Sequence, residues 1–334
     1  MEGAGVVKQP AIGQPHEDPR QCYLNSLHAT QWAYRDTVFP HDSHLFRPGE
    51  DRQHPPVLLK EHADHNVLRP PDPVLTKVVL DSIPERRRHR WFRSMKSSQA
   101  LAQSVFGNLK ARQRLDCLLG VRADDGDLPA FGAEPMDPEG VELEHGVGRE
   151  FLKEPHPTDI DLWIRGRTVV CVECKFTESE VGQCSRPRCP THRFTCNGNC
   201  EQQPGRQYRC ALAKQGIQYW SHIPEILTWS LEEDAQPCKL LAPYQLVRNI
   251  LAACVEDGRV NPDRGHALLV YDDRNPAFWH CDDGTFEKLR RDLHNPAMLR
   301  RCSWQSIIRV MTDYDDLTWL VTALGQKYGL VPQR

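Results

Sequence analysis

The stretch Asp159-Ile160-Asp161-Leu162-Trp163-Ile164-Arg165-Gly166-Arg167-Thr168-Val169-Val170-Cys171-Val172-Glu173-Cys174-Lys175-Phe176 decides the fold. Its first six residues alternate in the period-2 pattern of a strand. The run from Thr168 to Phe176 is β-branched and apolar, and Arg165-Gly166-Arg167 is short enough to join the two as a hairpin. Side chains alternate across a strand, so Glu173 and Lys175 share a face with Val169 and Cys171. Val170, Val172, Cys174 and Phe176 take the opposite face, expected to be the dry one. An acid and a lysine two residues apart in so apolar a strand are costly unless they serve each other or bind something. A turn centred on Gly166 sets Asp161 opposite Cys171 and diagonal to Glu173. A centre one residue farther on sets Asp161 opposite Glu173, and a half-residue shift turns it to the other face.

Outward from the hairpin, helices and strands are mixed. Ser97 or Ser98 suits the N-cap of a helix over 98–110 that carries Leu101, Val105 and Leu109 at i, i+4 and i+8. A Gly/Asp/Pro-rich stretch over 120–140 separates this helix from the hairpin. Farther on, the pattern predicts a helix over 243–255, a buried strand over 266–271, and helices over 287–293 and 304–311. The expected class is α/β (α+β), a central mixed β-sheet flanked by helices. Residues 1–93 read instead as a Pro/His-rich accessory segment, partly irregular, with short helical pieces near 22–35 and 75–83. Residues 94–334 hold the core.

The chain has 334 residues and a formal net charge of −3, which hides a strong polarity. Residues 86–115 contain nine basic side chains and no acid, and residues 116–161 contain thirteen acids against three basic residues. Arg86, Arg87, Arg88, Arg90, Arg93 and Lys96 form the densest part of the basic block. Such a block either contacts a phosphate backbone or is an ordinary solvated face. No apolar run approaches the roughly 20 residues of a membrane helix. The first residues, Met1-Glu2-Gly3-Ala4-Gly5, lack a basic region followed by an apolar core, so a cytoplasmic protein is expected.

Two carboxylates and a lysine converging on one strand face suit Mg2+, which prefers one or two carboxylates plus waters and substrate phosphate. Pro157-Thr158-Asp159-Ile160-Asp161, followed after eleven residues by Glu173-Cys174-Lys175, resembles the PD-(D/E)xK signature of restriction-endonuclease-like nucleases. The likeness covers roughly residues 95–275. It implies that Asp161 and Glu173 ligate the metal, with the Cys174 carbonyl as a further ligand, and that Lys175 positions or deprotonates the attacking water. Here Pro157 is not directly followed by the acid, and Asp159 competes with Asp161 for the first role. Spacing and its place inside the strand favour Asp161. The resemblance also implies an upstream acid, for which Glu154 is the candidate with Glu150 behind it. A later polar residue is assigned to Gln245, with Gln215-Gly216-Ile217-Gln218-Tyr219, similar to the QxxxY motif of the RecB-like branch, as its rival.

Cysteines mark one more feature. Cys184, Cys189, His192, Cys196 and Cys200 crowd into 17 residues, with Cys210 shortly after, within an insert spanning 182–210. Either a structural Zn2+, an iron–sulfur cluster of the kind some RecB-like nucleases carry, or a polar loop of reduced thiols fits this composition. Cys22, Cys117, Cys254, Cys281 and Cys302 read as small core residues. The resulting expectation is a Mg2+- or Mn2+-dependent nuclease (a hydrolase, endo- or exonuclease) acting on nucleic acid, DNA by preference. The alternative is a non-catalytic nucleic-acid or protein-binding module on the same fold, its Cys-rich insert stabilised by metal. A homodimer is compatible with the sequence, which sets no oligomeric state.

Overall fold

In the computed structural model, residues 18–49, 51–124, 126–154, 158–188, 196–202, 207–279 and 284–332 are described. The chain opens with α1 (Pro19–Val38), started by Asp18, whose carboxylate accepts the Arg20 N–H, and by Pro19 in the first turn. Then come α2 (Pro73–Asp81) and α3 (Ser98–Ala102), which runs through a π segment (Gln103–Gly107) into α4 (Asn108–Ala111). Ser97 Oγ accepts the Ala100 N–H as the N-cap of α3. Strand β1 (Val141–Val147), short α5 (Arg149–Leu152), β2 (Thr158–Arg165) and β3 (Val169–Cys174) follow. The second half holds α6 (Ala211–Lys214), α7 (Tyr219–Ile226), α8 (Tyr244–Cys254), the small ribbon β4 (Val255–Glu256) and β5 (Arg259–Val260), and β6 (Gly265–Tyr271). It ends with α9 (Thr285–Asp292), β7 (Leu299–Ser303), α10 (Trp304–Met311) and α11 (Thr318–Tyr328).

Five strands form one mixed sheet in the order β1-β2-β3-β6-β7, antiparallel across β1-β2-β3 and parallel across β3-β6-β7. The parallel step from β3 to β6 needs a crossover, and α8 supplies it, packing on both strands. Helices cover both faces. Val170, Val172, Cys174 and Phe176 join Leu101, Val105 and Leu109 and the helices α10 and α11 in one hydrophobic cluster. Val169 and Cys171 join α7, α8 and α9 in another. The face shared by Glu173 and Lys175 is therefore as dry as its opposite, and every residue of β3 is buried. A central strand paired on both edges and covered on both faces reads as a continuous apolar run for this reason.

Residues 18–93 contribute Tyr23, Leu27, Leu45, Phe46, Leu58 and Ile83 to the first cluster. Lys327 of α11, buried, donates to Asn66 Oδ1 at 2.8 Å, and Asn66 donates to the carbonyls of Phe92 and Ser94. Cys117, Cys254 and Cys302 are buried as expected, whereas Cys22 lies on the exposed side of α1, and Cys281 falls outside the described residues. Among the described residues no helix is long and apolar enough to cross a membrane.

His266, buried in the central strand β6, faces the Ala130 carbonyl at 2.8 Å through Nε2, an acceptor that requires Nε2 to carry the proton. Burial, with the Arg300 guanidinium nearby, lowers its pKa to about 3. A base whose pKa falls on folding contributes stability above its ordinary value near 6.5, and that stability is lost as pH drops toward 3. His266→Gln keeps a donor for Ala130 without the titration. Thermal unfolding followed from pH 7 to pH 3.5 is expected to fall less steeply in His266→Gln than in wild type, and parallel curves would refute the assignment.

Candidate active site

The β2–β3 register pairs Leu162 with Val172 and Arg165 with Val169. The hairpin is thus centred one residue beyond Gly166, and one further step sets Asp161 across from Glu173. On the other side, β1 pairs Leu143 with Leu162 and His145 with Ile160, which sets Glu144 across from Asp161. Three carboxylates therefore form a row over three adjacent strands. The backbone is strained at Glu144. Its φ is +50°, in the left-handed region that non-glycine residues rarely occupy, and the residue is buried although its neighbour Leu143 is buried as well.

Lys175 closes the row. Its Nζ lies 2.7 Å from Glu173 Oε1, with exposures of 10% and 2% for the two side chains, and it donates to Gln245 Oε1 at 3.3 Å. Asn249 Nδ2 donates to Glu173 Oε2 at 3.1 Å. Gln245 and Asn249 are four residues apart on α8, so one helix face delivers both. Asp161 Oδ2 accepts the Cys174 N–H at 2.7 Å. The residues after Lys175 are fastened from several directions. Trp304 Nε1 donates to the Lys175 carbonyl, and Tyr23 and Asn275 donate to that of Phe176. Arg20 donates to the Thr177 and Glu178 carbonyls.

Charge in this row is unbalanced. Burial, reinforced by Glu173 and Glu144, holds the Asp161 pKa well above the usual carboxylate range, although the side chain keeps some accessible surface. Glu144 is raised to about 7, mainly by burial and partly by the Asp159 and Glu173 carboxylates, against a hydrogen bond from Gln99. For Lys175, burial alone would lower the pKa. Glu173, Glu178 and Asp161 together outweigh it and raise it, so the group stays an ammonium.

Of the residues singled out from sequence, Asp161, Glu173, Lys175 and Gln245 come together. Glu154 accepts a hydrogen bond from Tyr219 OH, which in turn lies 3.2 Å from Tyr244 OH. Tyr219, from the rival motif, is thus spent on Glu154, and no hydrogen bond links Gln215 or Gln218 to the carboxylates. Pro157 and the side chain of Glu150 fall outside the described residues. Glu144, Gln99 and Asn249 were missed. Alternation in Val141-Glu142-Leu143-Glu144 puts Glu144 on the same face as the exposed Glu142, and no local pattern shows that β1 pairs with β2 so as to set Glu144 across from Asp161.

The basic block divides. Arg87 donates to the Glu144 carbonyl and so reaches the site itself. Arg88 pairs with Asp64 at 2.5 Å, Arg93 donates weakly to Leu58, and Lys110 and Arg114 bond to Val141 and Asp316. Arg86 and Arg90 are exposed, and they and Lys96 make no ion pair among the described residues.

Cys184, Cys196 and Cys210 line one small pocket with Cys238, a residue the sequence reading did not connect to them. Cys200 hydrogen-bonds Cys238, a contact that together with burial raises the Cys238 thiol pKa. Cys189 and His192 lie outside the described residues. Among the described residues no three His, Cys, Asp or Glu side chains form a group that could hold a metal ion, at the cysteines or at the carboxylates. The expected Zn2+ or iron–sulfur site of the insert thus gains no support from them.

No curated protein and no solved structure matches the chain. One family model does, that of a restriction endonuclease associating with ARP, and it spans residues 26–329. That match covers most of the 334 residues, agrees with the mixed five-stranded sheet, and carries nuclease function as its general implication. The chain belongs to the family of restriction endonucleases associating with ARP.

Proposed function

We propose that the chain is a Mg2+-dependent nuclease that hydrolyses phosphodiester bonds in DNA, with Asp161 and Glu173 as metal ligands. One observation carries the reading: three carboxylates on adjacent strands face a single ammonium in a dry sheet. If all three ionise, one lysine leaves two negative charges unbalanced, and burying unpaired charge is costly. The fold answers by raising the pKa values of Asp161 and Glu144, and a divalent cation would answer better. The residues fit Mg2+ because that ion is held by one or two carboxylates plus water and phosphate, without a complete protein cage. Each carboxylate oxygen has two lone-pair directions, so Glu173 can accept from Lys175 and Asn249 and still coordinate.

Bound there, Mg2+ supplies an acidified water and a counter-charge for the phosphate. Lys175, 2.7 Å from Glu173 Oε1, serves to position or deprotonate the attacking water. Gln245 and Asn249 hold the Lys175–Glu173 pair in place. Arg86, Arg90 and Lys96 supply cations for the nucleic-acid backbone.

The test is cleavage of plasmid and single-stranded DNA with Mg2+ or Mn2+. Asp161→Asn and Lys175→Ala are each expected to lose at least about 100-fold in rate, the scale of removing a charge-stabilising group. Undiminished cleavage by both variants would refute the site.

Gly182 gives a second test. Its φ is +110°, and a Cβ there would collide with the Gln245 side chain. Gly182→Ala should therefore slow cleavage as much as Gln245→Ala does. Wild-type rates in both would remove Gln245 from the machinery.

Glu144 gives a third. An acid with its pKa raised to about 7 on folding contributes stability at low pH that is lost as pH rises through that value. In the absence of divalent cations, Glu144→Gln is expected to melt higher than wild type at pH 8, with the gap shrinking toward pH 5. A gap independent of pH would contradict the raised pKa.

A further inference from the structure

A cavity of about 690 Å³ opens beside the end of β3, lined by Arg47, Val57, Trp91, Lys96, Thr177 and Glu178 among others. Its size is that of a small-ligand site. Thr177 and Glu178 are the second and third residues after Lys175, so the cavity lies against the segment that leaves the strand carrying Glu173.

The charges around the cavity are not equivalent. Glu178 is already satisfied, accepting from the Phe176 N–H at 2.6 Å and from Ser98 Oγ at 2.7 Å. Asp51 pairs with His54 at 2.8 Å. Arg47 and Lys96 make no side-chain hydrogen bond or ion pair among the described residues, so two unpaired cations stand at the cavity against one carboxylate, Glu178, whose partners are neutral donors. Trp91 remains 49% exposed at the cavity, an uncommon state for a side chain with so much apolar surface to bury. The Arg90 guanidinium sits 5.1 Å from its ring centroid, which keeps a cation beside the indole. A flat aromatic surface next to unpaired cations is the pairing that holds single-stranded nucleic acid, the base stacking while the phosphate meets the cation. A base inside a duplex has both faces covered by its neighbours and cannot stack on a side chain without leaving the helix.

Resting on the nuclease reading for the class of ligand, we propose that this cavity binds an unpaired nucleotide next to the scissile phosphate, its base on Trp91 and its phosphate at Lys96 and Arg47. Arg47 and Val57 of the N-terminal part thereby take part in substrate selection, favouring strands that are single or locally unpaired over closed duplex.

The test is metal-free binding in EDTA, where no cleavage intervenes, using fluorescence anisotropy of a labelled oligothymidylate of roughly 12 nucleotides and of a blunt duplex. Trp91→Ala is expected to weaken oligothymidylate binding about 10-fold and duplex binding less than about twofold, the loss of one stacked base. Trp91→Phe, which keeps a stacking surface, is expected to restore most of the affinity. Equal affinity of wild type and Trp91→Ala for oligothymidylate, an equal loss on duplex, or no binding by wild type would each overturn the proposal. Cleavage is scored separately. A wild type that binds through Trp91 but cuts nothing leaves the cavity assignment standing and removes the nuclease reading. A cleaving enzyme indifferent to Trp91 does the reverse.

Discussion

The Lys175–Glu173 pair, 2.7 Å apart and nearly closed to solvent, sits in the middle of a sheet that is dry on both faces. Alone, such a pair about balances its desolvation cost and says little about stability. Here two more carboxylates, Asp161 and Glu144, are brought alongside by strand register, and the balance tips to a surplus of negative charge. Much of the surrounding structure can be understood as holding that surplus in place. Asn249 and Gln245 occupy the remaining polar positions of the pair, and the Cys174 amide satisfies Asp161.

Rigidity around the strand end follows from the same need. Carbonyls of Lys175, Phe176, Thr177 and Glu178 are taken by side chains from three parts of the chain, α10, the loop after β6, and α1, the last taking two of them. Tyr23 also bonds Asp272, itself held by Arg274, so the first helix is tied to the sheet by polar contacts as well as by burial of Leu27 and Tyr34. A lysine that must stay charged in a low-dielectric setting gains from neighbours that cannot drift, since its pKa depends on their distance.

Much of this was legible in the sequence where period and chemistry coincide. The hairpin, the helix over 98–110, the strand over 266–271 and the shared face of Glu173 and Lys175 follow from alternation and composition, whereas the choice of Asp161 rested on the resemblance, and the structure has each of these elements near its expected place. What could not be read has physical causes. Hairpin register depends on where a turn centres, and one residue of difference moved Asp161 from opposite Cys171 to opposite Glu173. Glu144 was hidden because the pairing of β1 with β2, which sets it across from Asp161, is written in no local pattern. Cys238 meets its partners across 28 to 54 residues, beside the backbone bridge between Cys200 and Ala235, which no local spacing encodes. The dryness of the Glu173 face was missed because α8, which covers it, begins 71 residues farther along the chain.

Helix α8 shows how one element can serve both packing and the site. Leu246, Val247, Ile250 and Leu251 bury one flank in the second hydrophobic cluster, while Gln245 and Asn249 sit on the flank that faces β3. Rotation of the helix to improve one flank would withdraw the other, so the position of the polar pair is set by the fit of four aliphatic side chains. Gly182 adds a close backbone approach on the same side, leaving room for Gln245 where any larger residue would displace it. The polar groups therefore inherit their precision from apolar packing, which resists displacement because interiors are close-packed and tolerate little change in volume. The unfavourable charge of the carboxylate row and the φ of Glu144 can persist because those contacts over-determine the strands that carry them.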